Sequence, residues 1–133
     1  MSFLGKTYKF ESQENFDGFL KSVGVPDDKI ALLNKFTPSQ RLEQNGDSYT
    51  YFTTTEAGPK ETTFKSGVEF DDKIGVDNTP IKNKYIVEGN KVTQIISADK
   101  GSATFVRDYD GDNLTVTITS SLWDGVAKRF YKA

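Results

Sequence analysis

Apolar positions along the chain follow two different periods, and the change falls near residue 37. Ahead of it, Phe16, Phe19, Leu20 and Val23 recur at i, i+3, i+4 and i+7, one face of a single helix. Asn15 stands where an N-cap is expected and Gly24 where a left-handed residue ends a helix. Pro26 followed by Asp27 and Asp28 predicts a second helix, with proline at its first position and acids near the positive end of its dipole. Ile30, Leu33 and Phe36 continue its apolar side, so a tight turn at Gly24-Val25 joins two short helices.

Most of the remaining chain alternates with period two. Thr, Val, Ile, Tyr and Phe dominate it, and turn signals recur about every ten residues. Asn45-Gly46, Gly89-Asn90 and Asp110-Gly111 predict hairpin turns, and Ala57-Gly58-Pro59 a looser one. Asp71 to Pro80 reads as rich in loop with some strand, and residues 3–11 supply a strand ahead of the helices. Such a meander of nine or ten short antiparallel strands must close or stack to hide its edges. The helices lie between the first strand and the rest, so they cannot serve as βαβ crossovers. The expected architecture is all-β: one domain over residues 1–133, an up-and-down antiparallel barrel of about ten strands with a helix-turn-helix lid over one end.

Composition then removes whole classes of chemistry. Hydrophobic residues make up 35% and charged residues 27%, as in a soluble globular chain. No run of about 18 apolar residues occurs, which excludes a spanning helix. Met1-Ser2-Phe3-Leu4-Gly5-Lys6 lacks the long apolar stretch of an export signal, so the expected location is the cytoplasm. There is no Cys, hence no disulfide, thiolate nucleophile or Cys-ligated metal. There is no His either, which takes away the commonest general base and the commonest zinc ligand. No catalytic residue, metal or cofactor is expected. A net charge of -2 also disfavours nucleic acid as a partner. What survives is a small acidic cytosolic domain that binds a ligand or contacts another protein, and a monomer is expected.

Residues two apart on a strand share a face. In 80–87, Lys82 and Lys84 must face water, which places Asn83 inside with Ile81, Tyr85 and Val87. In 91–97, Lys91 faces out and Val92, Gln94 and Ile96 face in. Leu114, Val116 and Ile118 oppose Thr115, Thr117 and Thr119. A dry core rarely tolerates Asn and Gln, whereas a cavity holding water and ligand does. The alternative is that these amides lie at strand ends and reach solvent.

The last strand carries the most information. Lys128 and Phe130 share one face, Arg129 and Tyr131 the other, and Phe105, Arg107 and Tyr109 share a face of an earlier strand. With Lys128 outside, Arg129 and Tyr131 turn inward; with Phe105 and Tyr109 inside, so does Arg107. Two guanidiniums inside one barrel cost several kcal/mol each unless paired. No acid shares their faces, although Asp72 could approach from elsewhere. The natural partner is a bound carboxylate, held by charge-assisted hydrogen bonds with the Tyr131 hydroxyl as a further donor. The opposite parity, with both arginines on the solvated surface, stays open on pattern alone.

The same residues carry a family likeness. Gly5-Lys6-Thr7-Tyr8-Lys9-Phe10 with Asn15-Phe16-Asp17-Gly18-Phe19-Leu20, the stretch Thr63-Phe64-Lys65-Ser66-Gly67-Val68-Glu69-Phe70-Asp71, Val106-Arg107, and the ending Arg129-Phe130-Tyr131 occur in order over essentially the whole chain. In these the chain resembles the intracellular fatty-acid-binding proteins, within the wider intracellular lipid-binding protein family that includes the retinoic-acid binders. The resemblance implies a ten-stranded barrel with a helical lid around a large water-filled cavity, holding one or two long-chain fatty acids. It implies that Arg107, Arg129 and Tyr131 take the carboxylate and that Phe16 lines the cavity. The portal would lie near the second helix and the loops around Ala57 and Asp77-Asn78. Many members carry a bulky aromatic where this chain has Ala57-Gly58-Pro59, so a gate built on that side chain is not expected. Retinoic-acid binders share a similar ending, which keeps another hydrophobic acid such as a retinoid as an alternative. A protein-interaction module with a filled barrel is the alternative from another class.

Other motifs read as structure. Asp108-Tyr109-Asp110-Gly111-Asp112 lacks the later glycine and acid of a calcium loop and reads as a hairpin turn. Asn113-Leu114-Thr115 is a glycosylation sequon that a cytoplasmic chain leaves unmodified. Glu69, Asp71 and Asp72 read as solvated acids, and Trp123 as a packing residue. Lys21, Lys29 and Lys35 read as a solvated helix face; the sharper expectation is transient docking of the helical lid to an anionic membrane.

Overall fold

The period-two stretches become ten strands in a computed structural model that describes residues 3–35, 38–55, 58–74, 79–99 and 101–133. In chain order the elements are β1 (Tyr8–Glu14), α1 (Phe16–Ser22), α2 (Asp27–Lys35), β2 (Ser39–Asn45), β3 (Ser48–Thr55), β4 (Gly58–Lys65), β5 (Glu69–Ile74), β6 (Thr79–Glu88), β7 (Lys91–Ala98), β8 (Gly101–Asp110), β9 (Asn113–Ser120) and β10 (Trp123–Lys132). They pair antiparallel in the order β4-β3-β2-β1-β10-β9-β8-β7-β6-β5. Because β1 joins β2 to β10, the meander curls back on its own beginning, and the sheet becomes an all-β barrel with a helical lid.

The end strands β4 and β5 are not hydrogen-bonded neighbours. Side chains cover that seam instead. Phe64 of β4 stacks on Tyr85 of β6 at 4.3 Å between ring centroids. Lys60 of β4 lies 3.7 Å from Asp72 of β5.

The hairpins follow from glycine at the first loop position. Asn45 pairs with Ser48, Glu88 with Lys91 and Asp110 with Asn113. The two-residue loops are therefore Gly46-Asp47, Gly89-Asn90 and Gly111-Asp112, with glycine φ of 65°, 56° and 60°. This is the type II′ arrangement, whose twist matches that of the strands. Two of these loops sit one residue later than the sequence reading placed them, because Asn45 and Asp110 close the ladder. The stretch after Glu69 is more regular than expected: β5 runs to Ile74, and β6 starts at Thr79.

The first strand starts later than expected, at Tyr8. Residues 3–5 form a turn in which Gly5, at φ 80°, donates its N–H to the Leu42 carbonyl. Phe3 is nonetheless buried there and stacks on Tyr109 at 4.2 Å. Asn15 precedes α1 but does not cap it with its side chain. Its backbone is left-handed at φ 58°, and its amide donates to the Val126 carbonyl of β10. Val23 leaves the buried face: α1 stops at Ser22, and Val23, past the last turn, is exposed. Pro26 stands just ahead of α2, where its carbonyl accepts the Ile30 N–H. Ile30 is buried, as its spacing predicted. The Leu33 and Lys35 side chains, Phe36, Ala57, Asp77 and Asn78 lie outside the described residues.

α1 packs onto one end of the barrel through Phe16, Phe19 and Leu20. Phe19 meets Phe105 edge-on at 5.8 Å and Trp123 at 6.3 Å. The indole fits because two glycines make room: a Cβ at Gly18 would lie 3.1 Å from it, and one at Gly125 only 2.3 Å. Gly125→Ala should therefore force Trp123 out of its seat and cost about 1–2 kcal/mol. A fall of roughly 5 °C in Tm by calorimetry is expected; an unchanged Tm would show that the indole moves freely.

Candidate ligand-binding site

The alternation that left two parities open resolves to the inward one. On β8, Arg107 and Tyr109 are buried beside Phe105. On β10, Tyr131 is buried and Arg129 half-buried, while Lys128 is exposed. Asn83 and Gln94, placed inside because their lysine neighbours must face water, are both buried. Leu114, Val116 and Ile118 line β9 as its pattern predicted.

Burial along the inner face is graded. Away from the helices, Val92, Leu114 and Tyr109 are almost inaccessible and close the barrel with Phe3 and Tyr8. Towards α1 the burial is mixed: Ile96, Ala103, Phe105 and Phe70 point inward yet stay half-buried, while Ile118 and Ala127 beside Phe105 are fully buried.

Arg107 is held by two strands at once. Its Nε donates to the Tyr51 hydroxyl at 2.8 Å, and its Nη2 donates to Gln94 Oε1 at 2.7 Å. The Tyr51 hydroxyl in turn donates to Gln40 Oε1. On the other side, Gln94 Nε2 donates to Asn83 Oδ1 at 3.2 Å, and Asn83 Nδ2 donates to Asp72 Oδ2 at 3.2 Å. Asp72, read from the sequence as a solvated acid or as one that could approach the arginines, is the acceptor at the end of this chain. Asp71 keeps the expected surface setting and pairs with Lys82.

Arg129 is held by rings. Its guanidinium carbon lies 4.4 Å from the Phe16 ring centroid, 4.7 Å from that of Phe10 and 5.8 Å from that of Tyr131. Cation–π contact of this kind holds a guanidinium in place without neutralising it. Phe16, which the family resemblance placed on the cavity wall, meets Arg129 from α1. Among the described residues no carboxylate forms an ion pair with either arginine. Arg107 Nη1 and Arg129 Nε are buried N–H groups without a hydrogen-bond partner among the described residues.

Burial is the largest single influence on these groups, but it does not prevail at every one. It lowers the Arg129 guanidinium, with the Tyr131 and Tyr51 hydroxyls acting in the opposite direction. Burial would lower Arg107 too, but the surrounding Tyr51, Tyr85 and Tyr109 hydroxyls outweigh it and the group ends raised. Both therefore stay charged at neutral pH. Burial pushes Tyr51 well above the usual phenol range and Tyr109 up to about 12, partly opposed by Arg107. These hydroxyls stay protonated. The Tyr51 hydroxyl touches Arg107 directly, while Arg129 has Phe16, Phe10 and Tyr131 around it. Two cations, spare N–H donors and neutral hydroxyls on an otherwise aromatic and aliphatic surface suit a small anionic group attached to an apolar body.

The sequence reading did not single out Tyr51 or Gln40. The signal was available: Tyr49 and Tyr51 alternate on β3, and Gln40 and Leu42 on β2, so each pair faces one side. Finding them required knowing that β2 and β3 come round the barrel to face β8, which no local pattern states.

The model of the lipocalin / cytosolic fatty-acid binding protein family matches residues 1–130. Among curated proteins, fatty acid-binding protein 2 of Manduca sexta is 56% identical over 133 residues, covering 100% of both chains. Among solved structures, a fatty-acid-binding protein isolated from Manduca sexta superposes with a TM-score of 0.93 at 56% identity, over 99% of this chain and 100% of that one. A Schistosoma mansoni fatty acid binding protein in complex with arachidonic acid superposes with a TM-score of 0.88 at 32% identity, over 98% and 95% of the two chains.

Proposed function

The chain belongs to the lipocalin / cytosolic fatty-acid binding protein family, and from that premise we propose that it binds and carries a long-chain fatty acid in the cytoplasm, as a monomer and without covalent chemistry. The carboxylate takes its hydrogen bonds from Arg107, Arg129 and Tyr131, and the acyl chain lies over Phe16 and the half-buried inner face towards α1. The observation that carries this reading is the pair of inward guanidiniums, Arg107 buried and Arg129 half-buried, each with one buried N–H that has no hydrogen-bond partner and neither ion-paired with an acid among the described residues. A bound carboxylate supplies both the charge and the acceptors they lack. Burial of the acyl chain, about 0.8 kcal/mol per methylene at most, dominates affinity, while the arginines choose the head group. Lys21 and Lys29, exposed on the helices, support transient contact with an anionic membrane during transfer.

Organic extraction of the purified protein followed by mass spectrometry, with oleate titration of the delipidated protein, tests the reading. Co-purifying fatty acids and saturable oleate binding are expected. Repeatedly lipid-free extracts together with no oleate binding would favour a protein-interaction module instead.

A further inference from the structure

Arg107 stands at one end of a directed hydrogen-bond chain. A guanidinium only donates, so Gln94 must turn its carbonyl oxygen to Arg107 and its amide N–H outward. Asn83 must then accept from Gln94 through Oδ1, which points its own N–H group at Asp72. An ionised carboxylate only accepts, so the chain ends there, with both amide dipoles aligned between a cation and an anion. Asp72 is well held in that role. Its Oδ1 also accepts the Lys73 N–H at 2.8 Å, and its side chain is only 20% exposed. Across the seam Lys60 approaches its Oδ2 from β4. Among the described residues no other acid is linked to either buried arginine.

We propose that Asp72 is a specificity-determining residue of this site: a counter-charge coupled to Arg107 through Gln94 and Asn83 that sets how strongly an anionic head group is preferred over a neutral one. The proposal rests on the fatty-acid reading above. Asp72 partly neutralises Arg107 whether or not ligand is bound, so a ligand carboxylate meets a weaker positive field than two free guanidiniums would present. Removing the charge while keeping an acceptor oxygen strengthens that field. The binding of an acid then tightens, and that of an uncharged analogue with the same tail does not.

The experiment measures the oleate and oleyl alcohol affinities of delipidated protein, for the unmodified chain, Asp72→Asn, Arg107→Leu and the double variant. Asp72→Asn is isosteric and lies at the barrel seam, so it changes charge with little change in packing. The preference for oleate over oleyl alcohol should rise by roughly fivefold in Asp72→Asn. No further rise should appear when Asp72→Asn is added to Arg107→Leu, because the field acts through Arg107. A merely structural role for Asp72 would weaken both ligands together and leave the preference unchanged. That result, or an equal rise in the Arg107→Leu background, overturns the counter-charge. If the unmodified protein binds neither ligand, the fatty-acid reading falls and this proposal falls with it. Oleate binding by the unmodified protein alongside an unchanged preference in Asp72→Asn removes the counter-charge alone.

Discussion

Arg129→Gln is expected to weaken oleate binding by tenfold or more, about 1.4 kcal/mol, and to leave the protein folded. The two effects separate because Arg129 has no ion-pair partner among the described residues to lose. It is held by the Phe16 and Phe10 rings and presents a buried, unpartnered Nε. Glutamine keeps a polar, hydrogen-bonding side chain there but withdraws the charge. Folding therefore escapes the desolvation of a cation, whereas a bound carboxylate loses a charge-assisted bond. Isothermal titration checks the affinity and thermal unfolding checks the fold. Oleate affinity equal to that of the unmodified chain would remove Arg129 from the head-group site. A collapse in Tm would mean that the guanidinium is a structural element instead.

Tyr51→Phe should act on stability, lowering it by about 2–3 kcal/mol, with a fall in Tm on the order of 10 °C. The Tyr51 hydroxyl is the partner of Arg107 Nε and also donates to Gln40 Oε1. Phenylalanine keeps the ring, which lies 4.8 Å from the Arg107 guanidinium carbon, and keeps its packing in the core. Only the two hydrogen bonds go, and each leaves a buried polar group unsatisfied, one of them on a cation. Urea unfolding of the delipidated variant measures the loss. A change below about 0.5 kcal/mol would show that the hydroxyl is dispensable and that Arg107 is held by Gln94 alone.

Much of this site was legible before any coordinates, for reasons that can be traced residue by residue. Lysine must reach water, and that single rule favoured the parity of β6, β7 and β10 that turns Asn83, Gln94, Arg129 and Tyr131 inside. Arg107 followed from Phe105 and Tyr109 on the same strand. What pattern alone left open, whether both guanidiniums turn inward, depended on closure of the barrel, which is a long-range property. The same limit hid Tyr51 and Gln40: their faces are readable, but their arrival opposite β8 depends on β1 joining β2 to β10. Asp72 had two readings, a solvated acid in a run of acids near a turn and an acid that could approach the arginines; the structure places it at the end of the Arg107 hydrogen-bond chain. Only the pairing of Asp72 with Ile81 on β6 aims it at Asn83. The helices show how local rules shift at boundaries. Asn15 occupies the capping position yet spends its side chain on β10, and Val23 satisfies the helical period one residue beyond the helix.

The most direct test is a crystal structure of the delipidated protein soaked to saturation with oleate. The carboxylate oxygens should lie within about 3 Å of Arg129 and of Arg107 or the Tyr131 hydroxyl, with the acyl chain running over Phe16 towards α1. Oleate seated with its carboxylate away from both guanidiniums, at the mouth under the helices or on the outer surface, would contradict the head-group site at its root.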